Sequence, residues 1–93
     1  MSNAVRKLDH LQLFYFDSCP YCMRVNMALW KMNVEVVKKN IWSNPEFEAE
    51  LISGGGTAQV PCLRINREDG EVEWLYESSD IIHYLKETVK GGN

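Results

Sequence analysis

Cys19 and Cys22 are the residues of this chain best suited to chemistry. They stand as Cys19-Pro20-Tyr21-Cys22, directly after the apolar run Leu11-Gln12-Leu13-Phe14-Tyr15-Phe16. The thiolate is the nucleophile of disulfide exchange. A thiol at the start of a helix meets unpaired backbone N–H groups and the positive end of the helix dipole, and both favour the thiolate. Pro20 suits a first helical turn, where its missing N–H costs nothing. Cys22, one turn further on, lies on nearly the same helix face. Cys19 is the candidate nucleophile and Cys22 the candidate resolving thiol. A zinc site is the weaker reading. Zinc wants four ligands, and beyond the pair only Cys62, His10 and His83 remain. No metal is expected.

The elements around the pair follow from pattern. Residues 11–16 read as a buried strand and 17–18 as a turn. Residues 20–32 read as a helix, with Val25, Leu29 and Met32 on one face and Asn33 at its end. Val34-Glu35-Val36-Val37 is β-branched and reads as a second strand. Ser43-Asn44-Pro45-Glu46 opens a second helix, which Gly54-Gly55-Gly56 closes. Residues 61–65 and 71–75 form a hairpin around the turn Asn66–Gly70. Ser78-Ser79-Asp80 caps a last helix striped by Ile81, Ile82, Leu85 and Val89.

The order is β-α-β-α-β-β-α. A β-α-β start makes two parallel strands with a right-handed crossover, and the hairpin adds two antiparallel ones. A thioredoxin-like α/β fold is expected, a four-stranded mixed sheet with helices on both faces. C-x-x-C beside β-α-β is its signature.

Composition narrows the class. The chain has 93 residues, which suits one domain over 1–93, with 1–9 and 90–93 expected as flexible ends. Hydrophobic residues make up 45% and charged residues 25%, as in globular domains. Net charge is −3 and the basic residues are scattered, so no nucleic-acid surface is expected. No run is apolar enough for a membrane span, and no apolar segment follows Met1–Lys7 as a leader would require. Three cysteines with one C-x-x-C suggest a reducing, cytoplasmic setting and a transient catalytic disulfide. A monomer is expected.

Three motifs in order resemble the glutaredoxins: Cys-Pro-Tyr-Cys after a strand, Gln59-Val60-Pro61 before the third strand, and Ser-Ser-Asp opening the last helix. The resemblance covers about residues 11–89. Two departures stand out. Many glutaredoxins carry a Lys just ahead of the cysteines, where this chain has Phe16-Asp17-Ser18. Tyr76-Glu77-Ser78-Ser79-Asp80-Ile81-Ile82-His83-Tyr84-Leu85 is instead similar to the N-terminal domain of glutathione transferases.

The resemblance implies a glutathione-dependent thiol-disulfide oxidoreductase. Its co-substrate would be glutathione and its partners disulfide-bearing or glutathionylated proteins. It implies that Tyr21 lies over the thiol and that Pro61 is cis. It also implies that Val60 pairs with the cysteinyl backbone of glutathione and Gln59 meets the glycyl end. Ser78, Ser79 and the helix start would bind the γ-glutamyl carboxylate, with Asp80 or Glu77 receiving the ammonium. Two rivals stay open. A cluster-bridging role would use Cys19 and glutathione, though Pro20 is unusual there. A transferase-like module would bind glutathione without turnover. Arg24 reads as a solvated helix residue, and His83 as partly exposed packing. Cys62 reads as a buried small hydrophobe, and Trp30, Trp42 and Trp74 as core or rim fillers.

Overall fold

A computed structural model describes residues 5–91. The elements are β1 (Arg6–Tyr15), α1 (Pro20–Met32), β2 (Val34–Asn40), α2 (Pro45–Gly55), β3 (Cys62–Asn66), β4 (Val72–Leu75) and α3 (Ser78–Gly91). The sheet order is β2-β1-β3-β4. β1 and β2 run parallel, and β3 is antiparallel to both β1 and β4. This is the expected thioredoxin-like fold.

Strand alternation divides the apolar residues between two faces. Leu11 and Leu13 of β1, with Leu63 and Ile65 of β3, face α1 and α3. There they pack with Val25, Leu29, Ile81 and Leu85. Phe14 and Cys62 face the other way, into a smaller cluster with Ile41 and Leu51 under α2. Fully burying each side chain of this size contributes roughly 1.5–3 kcal/mol.

Helix ends follow their sequence signals. Pro45 opens α2 behind Asn44, whose carbonyl accepts from Phe47 N–H at 2.9 Å. Asn33 closes α1 in the left-handed region, φ 59°, a conformation Asn tolerates better than most residues. Ser78, Ser79 and Asp80 do not precede α3 as caps. The Ile81 N–H bonds to the Glu77 carbonyl at 3.0 Å, so these three residues fill the first turn.

Several expectations are corrected. Residues 6–9, expected in a flexible end, are strand and pair with β2 from Arg6↔Val34 onward. They escaped the pattern because β3 pairs only with residues 11–14, leaving the first half of β1 covered on one edge and polar. β2 runs on through Lys38-Lys39-Asn40 because an edge strand tolerates lysine. Lys39 holds its ammonium over the Phe14 and Phe47 rings, 5.4 and 5.3 Å from their centroids, and pairs with Glu50 at 2.9 Å. Trp30 and Trp42 are not fillers: both are exposed, whereas Trp74 is half-buried against Phe14. At the other end, Lys90 and Gly91 belong to α3, while the rest of the expected flexible segment lies outside the described residues.

Candidate active site

Cys19 sits where β1 hands over to α1, at the N-cap of the helix with extended backbone. Phe16 C=O accepts its N–H at 3.4 Å, which closes the Asp17-Ser18 turn. The Cys22 backbone N–H points at the Cys19 sulfur, 3.4 Å away. That donor and the amino end of α1 both favour negative charge on the sulfur. Cys19 Sγ also lies 4.0 Å from the Val60 carbonyl, which can accept from the thiol but not from the thiolate. Only 6% of the residue is exposed, so reaction requires access along a defined direction.

Cys22 differs from Cys19 in environment more than in distance. It is fully buried. Burial pushes its thiol up to about 12, and the hydrogen bond and negative charge of Cys19 add to the rise. Cys22 therefore keeps its proton at neutral pH.

Beside Cys19, on the β3 and β4 side, is a cleft of about 400 Å³. The helix start of α1, the loop before β3, and the β4–α3 junction supply its walls. It gathers Tyr21, Gln59, Val60, Pro61, Glu77, Ser78 and Ser79 from the residues selected by sequence. Tyr21 is 59% exposed and Ser78 is buried. The Val60–Pro61 peptide bond is cis, as expected.

Asp80 does not line this cleft; it is exposed on the first turn of α3. Arg24 is exposed, in keeping with the solvated reading, and also lines the cleft, because it follows Tyr21 by three residues on α1. Tyr76 lines it too and was assigned no role from sequence. Its hydroxyl donates to Thr57 C=O at 3.0 Å, and Thr57 Oγ1 accepts the Gln59 N–H at 3.1 Å. One phenol thus ties the β4–α3 junction to the loop carrying Gln59, Val60 and Pro61. Gly55 makes room for it: a Cβ there would collide with the Tyr76 hydroxyl.

Cys62 is fully buried beneath α2, as expected. Burial pushes its thiol up to about 12, against the opposing pull of its hydrogen bond with Tyr76. His83 is exposed on α3 and outside the cleft. A larger hollow, about 720 Å³, lies around the β3–β4 turn with His10, Arg67, Glu68 and Tyr84, and shares no lining residue with the cleft. Among the described residues no three His, Cys, Asp or Glu side chains gather as metal ligands. No helix among them is long and apolar enough to cross a membrane.

A thiol at a helix start, a proline-led loop and a polar helix junction around one cleft have counterparts in known proteins. The family described as "Glutathione S-transferase, N-terminal domain" matches residues 18–88. The chain belongs to this family. The glutaredoxin resemblance holds as well: Glutaredoxin 2 of Escherichia coli K12 is 31% identical over 75 residues, covering 81% of this chain and 32% of that protein. Among solved structures, glutaredoxin 2 from Salmonella typhimurium in complex with glutathione superposes with a TM-score of 0.67 at 27% identity. That match covers 90% of this chain and 35% of the other. Glutathione transferase Omega 1C from Trametes versicolor shares the fold, with a TM-score of 0.66 at 22% identity over 90% of this chain and 39% of its own. The chain spans about a third of the length of the relatives it matches.

Proposed function

We propose that this protein is a glutathione-dependent thiol-disulfide oxidoreductase acting on glutathione mixed disulfides and protein disulfides. The observation that carries the reading is the unequal thiol pair at the cleft. One sulfur accepts a helix N–H beside a polar cleft, and the other is buried behind it with its proton retained. The similarity to a glutaredoxin 2 solved with glutathione supports the choice of co-substrate.

In the glutathione route, the Cys19 thiolate attacks the glutathionyl sulfur of a mixed disulfide. The Cys19–glutathione disulfide forms, the substrate S–S bond breaks, and the substrate leaves as a thiolate that takes a proton from water. A second glutathione thiolate then attacks the glutathionyl sulfur. Glutathione disulfide departs and Cys19 returns as thiolate. Each exchange conserves electrons, and glutathione is the net reductant. Glu77, Ser78 and Ser79 would hold the γ-glutamyl end, with Asp80 at longer range. Val60 would hold the cysteinyl backbone in the manner of an added strand, and Gln59 the glycyl end. Tyr21 and Arg24 would close the outer wall.

In the protein route, Cys19 forms a mixed disulfide with the substrate protein and Cys22 resolves it. The cleft geometry supplies a timing device. Cys19 raises the Cys22 thiol by hydrogen bond and charge. Once Cys19 is in a neutral disulfide both contributions disappear, and Cys22 loses its proton more easily when its attack is needed. Cys22 then attacks the Cys19 sulfur, the Cys19–Cys22 disulfide forms, and the substrate leaves as a dithiol. Two glutathiones reduce the intramolecular disulfide. This chemistry suits a reducing cytoplasmic setting.

The test is reduction of the mixed disulfide of glutathione and 2-mercaptoethanol, with glutathione and glutathione reductase supplying electrons. Wild type and Cys22→Ser should both turn over. Folded protein that binds glutathione but turns over in neither form would favour the second reading, a glutathione-binding lobe, which the transferase-domain match supports.

A further inference from the structure

The sheet order puts two different surfaces on either side of Cys19. β3 and β4 lie to one side of β1, and their flanking loops build the polar cleft. β2 lies to the other side, and the turn that follows it carries Trp42. Trp42 stacks on Phe16, with ring centroids 3.9 Å apart and planes 3° from parallel. Phe16 is the residue whose carbonyl accepts the Cys19 N–H. Even so, Trp42 is 67% exposed and lines no part of the cleft.

A single exposed apolar side chain needs no explanation. This one is fixed in place. Asn40 Oδ1 accepts the N–H groups of both Trp42 and Ser43, at 2.9 and 3.1 Å. The Ile41 N–H bonds to the Tyr15 carbonyl at 2.9 Å, tying the loop to the end of β1. Asn40 Nδ2 makes a long 3.5 Å contact with Asp17 on the turn that leads into Cys19. Trp30 is also exposed, but it lies near the far end of α1 and makes no such stack among the described residues.

We propose that the Phe16–Trp42 stack is a docking shelf for the polypeptide flanking a substrate cysteine, so that Trp42 selects disulfide-bearing proteins over small glutathione disulfides. The inference rests on the redox reading above. When a substrate protein is joined to Cys19, the chain on each side of its cysteine must lie on the surface around that sulfur. The cleft side is polar and suits a tripeptide with charged ends. The β2 side offers one rigid aromatic face. An aromatic held in place before binding contributes contact area with little ordering cost. The favoured flanking residues are apolar or aromatic. A glutathione mixed disulfide of a small alcohol thiol carries no such chain and gains nothing from the shelf.

The experiment compares wild type, Trp42→Ala, Trp42→Phe and Trp30→Ala on two substrates. One is the 2-mercaptoethanol–glutathione mixed disulfide and the other is insulin. Trp42→Ala should raise the KM for insulin about fivefold or more, as truncation of an aromatic anchor does. Its KM and kcat for the small substrate should stay within about twofold, and Trp42→Phe should recover most of the insulin affinity. Trp30→Ala should match wild type on both. Unchanged insulin kinetics in Trp42→Ala would overturn the proposal while leaving the redox reading intact. So would an equal loss on both substrates, which would assign Trp42 to the glutathione cleft or to the fold. Wild type inactive on both substrates would defeat the redox reading itself, and the shelf with it.

Discussion

Two thiol-bearing regions of this small protein lie near the same end of the neighbouring strands β1 and β3. Cys19 follows β1 with its sulfur 4.0 Å from the Val60 carbonyl, while Cys62 begins β3 and is sealed under α2. Both are cysteines with low exposure. The difference lies in what surrounds the sulfur. Cys19 has a helix N–H aimed at it and a polar cleft beside it. Cys62 has Phe14, Ile41, Leu51 and the Tyr76 phenol, and burial holds its proton on. Backbone placement at a helix start, more than residue type, decides which thiol is equipped for exchange chemistry.

The largest expected effect that sharpens this contrast is the loss of Cys19. Cys19→Ser should lower turnover of glutathione mixed disulfides by at least about 10³-fold, as removal of a nucleophile does. Cys62→Ala should leave that turnover within about twofold, since its thiol takes no part. Steady-state rates of the two variants side by side measure the gap.

Next in size is the packing that seals Cys62. Leu51 is the fully buried α2 residue of that small cluster. Leu51→Ala should cost about 2–5 kcal/mol in urea unfolding. It should also expose Cys62 to thiol reagents, breaking the contrast from the structural side.

A third effect is alkaline. Cys22 and Cys62 both have folded-state values near 12, raised from an ordinary value of 9.0. A raised value means that the folded state keeps a proton the unfolded chain releases. Their contribution is fully present below pH 9 and is lost as pH climbs from 9 toward 12. The slope is at most about 1.4 kcal/mol per pH unit for each thiol. Cys62→Ala should flatten the fall in stability between pH 9 and 11 relative to wild type, by urea unfolding at each pH.

The smallest effect concerns Tyr76, which touches both regions. It hydrogen-bonds Cys62 on one side and holds Thr57, and through it Gln59, on the other. Tyr76→Phe removes the hydroxyl that makes both contacts, each worth about 0.5–1.5 kcal/mol. The KM for glutathione should rise about two- to tenfold with kcat little changed, if the bond acts through the position of the loop. A fall in kcat alone would contradict that role.

Much of this was legible in the chain itself. The thiol pair, the three helices and the proline-led loop announce themselves through local chemistry: a helix-start proline, a left-handed Asn33, a run of glycines. Local pattern fails where long-range pairing decides. The polar first half of β1 is strand only because β2 pairs with it. Lys39 belongs to a strand because Glu50 and two aromatic rings receive it. Trp42 reads as a filler by type, yet an Asn40 turn and Phe16 hold it at the surface. Tyr76 carries no local sign of its role, because its partner Thr57 lies nineteen residues away. The closest signal was its place next to Glu77-Ser78, at the edge of the expected glutathione site.

The most direct test of the central claim is to expose the reduced, folded Cys22→Ser protein to glutathione disulfide and map the adduct by peptide mass spectrometry. The account predicts one glutathione per chain, on Cys19, with Cys62 unmodified. Glutathione on Cys62, or an unmodified Cys19, would contradict it.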